Sequence, residues 1–389
     1  MEKNINVLKR ILLSFLSLLL LVNLTGCWNY FEVDDVSIVA GVAIDKSESD
    51  GKLSVTTEIV DTKGGMETSQ AGYKMVTLSG DTMFDIVRGM ISITGKRLFW
   101  SHSKAIILSE ELARQGVIKV IDWYNRDTET RSDVYIFVSK EKTAQEVISL
   151  SSPTESILSY SLAQLMRSEE KVSTAPVVEI WDFVDKLETS GEYAIAPLIS
   201  IHEKNKVKNA RVSGAAVFNM DKMIGELSGD ETKYMLFIKD QIRGGVLTAN
   251  DKGGKPAYAL EILSNRTKVK PVWVEGKLQM QINTVTHTGL DEVMSSEGFN
   301  QLGSKDLIEK RAGEELQQQI LSVIHRVQKE YHADIFGFGE HLHEKMPSTW
   351  KKIERNWEQK FTDLDVVVNA KVIIKNSAQT SRSIKIHQK

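Results

Sequence analysis

The 389-residue chain holds a single cysteine, Cys27. A lone thiol closes no internal disulfide, and thiolate metal sites draw on several cysteines, so neither device supports the fold. Net charge is also scarce: 49 basic residues face 52 acidic ones, giving −3 at pH 7. Without a polybasic patch there is no electrostatic reason to bind nucleic acid. The glycines build no phosphate loop, since Gly253-Gly254-Lys255 lacks the upstream glycine and a serine or threonine after the lysine. No serine sits in a Gly-x-Ser-x-Gly elbow, so a hydrolase nucleophile has no support. Internal repeats and low-complexity segments are missing too. Stability has to come from packed cores, which a hydrophobic content of 41% allows.

What the chain does have is a distinctive start. A basic head (Lys3, Lys9, Arg10) precedes an apolar run over residues 11–24, interrupted by Ser14, Ser17 and Asn23. Gly26 then sits immediately before Cys27. This is the layout of a secretory signal peptide over residues 1–26, and the run is shorter than the ~20 residues a bilayer span needs. The ending Leu24-Thr25-Gly26-Cys27 looks like a bacterial lipobox. Cleavage is expected between Gly26 and Cys27, with diacylglycerol on the Cys27 thiol. Losing the head removes three basic residues against Glu2, so the remainder is more acidic still. Acyl chains must then do the anchoring, and two chains hold a protein to a membrane stably where one does not.

Beyond residue 28 the chain is long enough for two or three domains and reads as mixed α and β. Strands are expected at 37–44 and 53–60, followed by a polar, glycine-rich loop at 61–72. A helix capped by Asp81 or Thr82 should carry Met83, Val87, Met90 and Ile91 on one face. A strand at 104–108, a helix over 110–123, a strand at 134–138 and a helix at 143–150 complete a first domain, residues 27–195. The lysine-rich segment 202–209 marks a boundary. A small middle domain, 208–256, then carries strands at 212–218 and 220–224 and a helix at 231–240. In the last part, 257–389, apolar even positions over 272–282 predict one long half-buried strand. Leu316, Ile320, Val323, Ile324, Val327 and Tyr331 keep the spacing of an amphipathic helix. Trp350, Ile353, Trp357 and Phe361 form a second helical stripe, and residues 364–374 alternate as a final strand. The expected class is α+β, with mostly antiparallel or mixed sheets and helices packed on them.

Three constellations invite chemistry. His332, His341 and His343, near Glu340 and Glu344, have the residue types of a metal site, but their spacing fixes no geometry, and a polar loop between two helices is the simpler account. The run Arg126-Asp127-Thr128-Glu129-Thr130-Arg131 alternates acid with base. That favours surface ion pairs or a docking patch built on Arg126, Asp127, Glu129 and Arg131 over an acid–base pair. Trp350 and Trp357 at helical spacing with Ile353 and Phe361 read as core rather than a ligand-stacking pair. No cofactor, metal or catalytic residue is expected.

The opening Cys27-Trp28-Asn29 with Glu32 resembles the start of the Ger(x)C lipoproteins. So do Lys96-Arg97-Leu98-Phe99-Trp100-Ser101-His102 with Lys104, and Arg126-Asp127 with Glu129 and Arg131, in that family's N-terminal region. Gly214-Ala215-Ala216-Val217-Phe218 with Gly225, Glu226 and Leu227 is similar to the start of its C-terminal region. Ala333-Asp334-Ile335-Phe336-Gly337-Phe338-Gly339, then Pro347, Trp350 and Trp357, is similar to that region's end. The resemblance covers essentially the whole chain. It implies a non-enzymatic C subunit of a spore nutrient germinant receptor, tethered by lipid on the outer face of the inner spore membrane. Its partners would be two integral-membrane subunits, one of them transporter-like. The competing class is a substrate-binding lipoprotein of a transporter, which would want two α/β lobes around a polar, aromatic-lined cleft.

Overall fold

The computed structural model describes residues 2–22, 35–47, 51–61, 72–153, 155–251, 253–294 and 304–376. Gly26, Cys27, the segment through Glu32 and most of the expected loop at 61–72 lie outside the described residues. The apolar head forms helix α1 (Glu2–Val22). Among the described residues no helix is long and apolar enough to cross a membrane.

The first sheet grows around short apolar runs. Strands β1 (Val36–Lys46), β2 (Leu53–Asp61) and β3 (Gly72–Gly80) form an antiparallel meander. Helix α2 (Met83–Thr94) follows, its N-terminus capped by Thr82 and its end closed by Gly95 in the left-handed region. A short β4 (Arg97–Phe99) and then β5 (Ala105–Ser109) both run parallel to β1. The helix expected over 110–123 is two: α3 (Glu110–Gln115) and α4 (Ile118–Arg126), separated at Gly116, whose φ of 129° ends the first. Strand β6 (Tyr135–Ser139) and helices α5 (Ala144–Ile148), α6 (Leu158–Glu169) and α7 (Ile180–Glu188) lead into β7 (Ile195–Lys204). Strands β8 (Val207–Asn219) and β9 (Lys222–Leu227) then extend the same sheet. Among the described residues it is nine-stranded, ordered β3-β2-β1-β5-β6-β7-β8-β9 with β4 beside β1. Its central strands are buried on both faces. Val42, Ile106 and Ile136 point into the main core, whereas Ala43, Ile107 and Phe137 face α5 and α6.

The segment read as a boundary, 202–209, is the end of the β7–β8 hairpin, turning at Asn205 and Lys206 with φ 53° and 65°. Two consecutive left-handed residues make the tight turn whose twist suits a hairpin, so the polar lysines mark a turn inside one sheet. The strands assigned to a middle domain therefore complete the first sheet.

Helix α8 (Gly229–Ile238), opened by a Ser228–Glu231 capping box, leads to the second sheet. Strands β10 (Val246–Asn250), β11 (Pro256–Val274), β12 (Lys277–Val293) and β13 (Asp365–Asn376) lie in that order. The β12–β13 pair is parallel, joined through α9 (Ser304–Arg326), which packs against β13 and β10. The expected single strand at 272–282 is instead the β11–β12 hairpin, turning at Glu275 and Gly276 (φ 48° and 79°). Alternation survives the turn because two residues preserve the count, yet the faces swap. Met280 and Ile282 are buried, as are Val269 and Pro271, while Val274 is 41% exposed.

After α9 and a π-helical turn (Val327–Tyr331) come α10 (Phe338–Lys345), α11 (Pro347–Ile353) and α12 (Trp357–Thr362). The polar loop expected around His341 and His343 is thus helix α10, and the second helical stripe is broken between α11 and α12. One contiguous buried cluster runs from Val39 and Val42 in the first sheet to Met280 and Val368 in the second. The class is mixed α and β with helices on the sheets, as read from the sequence.

Candidate functional site

The most polar part of the interior lies where the α7–β7 connection meets the segment between α9 and α10. The π turn ends at His332 in the left-handed region, and Gly337 adds a second left-handed turn (φ 76°). Between them Asp334 is fully buried. Its carboxylate accepts the backbone N–H groups of Phe336 (3.1 Å), Phe338 (3.2 Å) and Gly339 (2.8 Å), and the Trp357 indole N–H (3.0 Å). These donors include the first turn of α10, where a carboxylate is favoured. Burial nevertheless dominates and pushes the Asp334 pKa up to about 7, against the pull of its N–H donors. The Asp334 carbonyl accepts the Tyr193 N–H at 2.9 Å. A Cβ on Gly339 would lie 2.7 Å from Gly191, so the two backbones meet only because both are glycine.

A charge cluster sits beside this contact. The Glu192 side chain is 5% exposed, lies 3.0 Å from the Lys186 ammonium and pairs with Lys239. Lys186 also reaches Glu340 at 3.4 Å. Burial works to raise the Glu192 pKa, but the lysines outweigh it and hold the carboxyl below its usual range. Glu340 shifts the other way, because it shares a hydrogen bond with the ionised Glu192 and is half-buried. Lys186 stays charged: Glu192 and Glu340 raise its pKa against the opposing effect of burial. Since Lys186 lies on α7, Lys239 caps α8 and Glu340 lies on α10, the cluster ties three helices together. An open cleft of about 310 Å³ beside it is lined by Asp182, Phe183, Lys186, Lys239 and His341. Burial lowers the His341 pKa and raises that of Asp182.

The same device recurs in the first sheet. Buried Glu58 on β2 accepts the Leu158 and Ser159 N–H groups at 2.9 Å each, capping α6. Asp45 on β1 accepts the Ala144 and Gln145 N–H groups at 2.6 and 3.0 Å, capping α5. Burial raises both pKa values, opposed by those N–H donors. Neither Glu58 nor Asp45 stands out in the sequence as a site. Each sits in or beside an apolar run, and that placement is the signal that could have found them.

The charged run after α4 differs. Arg126 pairs with Asp122 at 2.7 Å, Arg131 with Asp133 at 2.6 Å, and Glu129 with Arg97. Asp127 accepts the Glu129 N–H at 2.8 Å. The Ser101 hydroxyl donates to the Glu129 carbonyl at 2.8 Å. Trp100 meets Trp123 and Tyr124 edge-on at 5.2 and 6.2 Å. Two segments far apart in sequence, 96–104 and 126–131, thus form one surface corner. The histidines are not brought together: His332 contacts Thr362 at 3.2 Å, and His343 stacks on Trp350. Among the described residues no three potential metal ligands cluster. Trp350 and Trp357 are buried and meet edge-on at 5.3 Å, as core.

Comparison with known proteins places these motifs in one lineage. Residues 29–201 match the model of the spore germination protein N-terminal domain, and residues 213–378 match the spore germination B3/GerAC-like C-terminal model. The gap between the two coincides with the β7–β8 hairpin. Spore germination protein YndF of Bacillus subtilis is 25% identical, the match covering 92% of this chain and 94% of YndF. Spore germination protein B3 of the same organism is 26% identical over 89% and 92% of the two chains. The crystal structure of the GerBC protein shares the fold at 22% identity and a TM-score of 0.55, covering 86% of this chain and 97% of that one. With both regions matched in order along nearly its whole length, the chain belongs to the Ger(x)C family of spore germination proteins.

Proposed function

We propose that the protein is a lipid-anchored, non-enzymatic C subunit of a spore nutrient germinant receptor. Diacylglycerol on Cys27 holds it on the outer face of the inner spore membrane, where it docks with two integral-membrane subunits, one of them transporter-like. The observation that carries this reading is the end-to-end match to spore germination proteins. The fate of the buried charges adds support. The carboxylates of Asp45, Glu58 and Asp334 are taken up by backbone N–H groups, and that of Glu192 by two lysines. Such groups hold a scaffold together. The corner formed by Arg97, Arg126, Asp127, Glu129 and Arg131 is the docking contact in this reading, since exposed charges set partner choice more than stability.

Metabolic labelling with a fatty-acid analogue tests the anchor. The wild-type chain should carry the label and fractionate with membranes, and Cys27→Ala should lose the label while the folded part remains intact. Label retained on the alanine variant would overturn the anchoring.

A further inference from the structure

The outer face of the second sheet collects positive charge that is dispersed in the sequence. On β11, Arg266, Lys268 and Lys270 alternate with buried Thr267, Val269 and Pro271, so all three basic side chains leave by the solvent face. Register then places them in rows. Arg266 lies opposite Val285 and Lys371, Lys268 opposite Asn283 and Asn369, and Lys270 opposite Gln281 and Val367. Lys277 stands at the end of the hairpin opposite Val274. The acids nearby are Asp240, 3.9 Å from Arg266, together with Glu275 in the turn and Asp365, which binds Gln279 at 2.5 Å. Lys268, Lys270, Lys277 and Lys371 are exposed and form no ion pair among the described residues. A chain of net negative charge therefore presents one basic sheet face.

The hairpin tip at the end of that face is apolar: Val274 leaves by the basic side, paired with Lys277, and Trp273, one residue earlier, by the opposite pleat. Trp273 is 56% exposed and Val274 41%, and every residue from Trp273 to Lys277 is exposed. Val367 and Val285 on the same sheet are 37% and 36% exposed. An indole at a hairpin tip, flanked by lysines, has the composition of a membrane-interface contact. The ring settles at headgroup level while the ammonium groups meet lipid phosphates. An acidic protein surface would satisfy the lysines and leave the indole in water.

We propose that the β11–β12 hairpin tip and the adjoining basic face dock on an anionic phospholipid surface, with Trp273 entering the headgroup layer. The proposal rests on the reading that the chain works at a membrane. Its failure is separable from failure of the anchor, because labelling at Cys27 does not depend on the hairpin.

The single cysteine makes the test direct. In the full chain carrying Cys27→Ala, Trp273→Cys provides a unique thiol for an environment-sensitive fluorophore, and the exposed Val207→Cys, beside the β7–β8 turn of the other sheet, provides the control. Each is mixed with vesicles of phosphatidylcholine alone or with phosphatidylglycerol. The expected result is a blue shift and brightening at position 273 with the anionic vesicles only. It should be lost in 1 M salt, where screening shortens to about 3 Å, and weakened by Lys268→Gln, Lys270→Gln and Lys277→Gln together. Position 207 should stay silent. A silent probe at 273, an equal response to neutral vesicles, or an equal response at 207 would each overturn the proposal. So would a response at 273 that requires the co-expressed membrane subunits.

Discussion

The seam around Asp334 and the corner around Arg126–Arg131 are both rich in charge, yet they use it in opposite ways. At the seam a fully buried carboxylate accepts four N–H donors, and Glu192 neutralises two lysines that are 19% and 13% exposed. At the corner the Arg126 and Arg131 side chains are 78% and 55% exposed and pair with neighbours on their own segment. Desolvated charge without its partner is costly, whereas exposed pairs contribute little. The seam is therefore where a charge change should unfold the protein, and the corner is where it should alter binding alone.

The largest effects belong to the seam. Trp350→Ala, which empties a core site against Trp357, should cost about 3–5 kcal/mol in urea unfolding. Asp334→Ala should cost about 3 kcal/mol or more, since each buried donor left unsatisfied costs roughly 1–3 kcal/mol. Asp334 also predicts a pH dependence. Its pKa is near 7 in the fold against the ordinary 3.8, so the folded chain keeps a proton that the unfolded chain releases. That contribution is fully present below pH 3.8 and is lost as the pH rises through 7. Asp334→Asn should remove it, so the stability advantage of wild type over the asparagine variant should be larger at acid pH than at alkaline pH.

Glu192→Gln should cost about 2 kcal/mol, as two largely desolvated ammonium groups lose a charged partner. Gly276→Ala, at φ 79°, should cost about 1–2 kcal/mol by forcing a Cβ into the left-handed region. Arg126→Ala and Arg131→Ala close the series with no change in unfolding midpoint; a shift as large as that of Glu192→Gln would erase the distinction between the two regions.

The sequence exposed the parts of this molecule that obey one period. The apolar runs of β1, β5 and β6, the stripe of α9 and the alternation of β13 all lie where pattern places them. It misled where a turn preserved the count: Glu275 and Gly276 reverse the chain without breaking the alternation across 272–282. It misled again at 202–209, where a lysine-rich hairpin turn has the composition of a linker. Helix α10 was hidden because its polar residues Glu340, His341, His343, Glu344 and Lys345 outnumber its buried apolar anchors Phe338 and Leu342. The corner was half visible, since Arg126–Arg131 stood out, but Arg97 and Ser101 join it only through the fold. The seam was legible as a motif, Ala333 to Gly339, and not as chemistry, because three of the four donors to Asp334 are backbone groups that carry no sequence signature.

The contrast is tested most directly in spores, by following the abundance of the protein and its co-purification with the integral-membrane subunits proposed as its partners, in two variants. Charge reversal at the corner, Arg126→Glu with Arg131→Glu, should leave abundance at the wild-type level and abolish co-purification, whereas Asp334→Ala should lower abundance itself. A corner variant that is present in full and still co-purifies as wild type does would contradict the docking account.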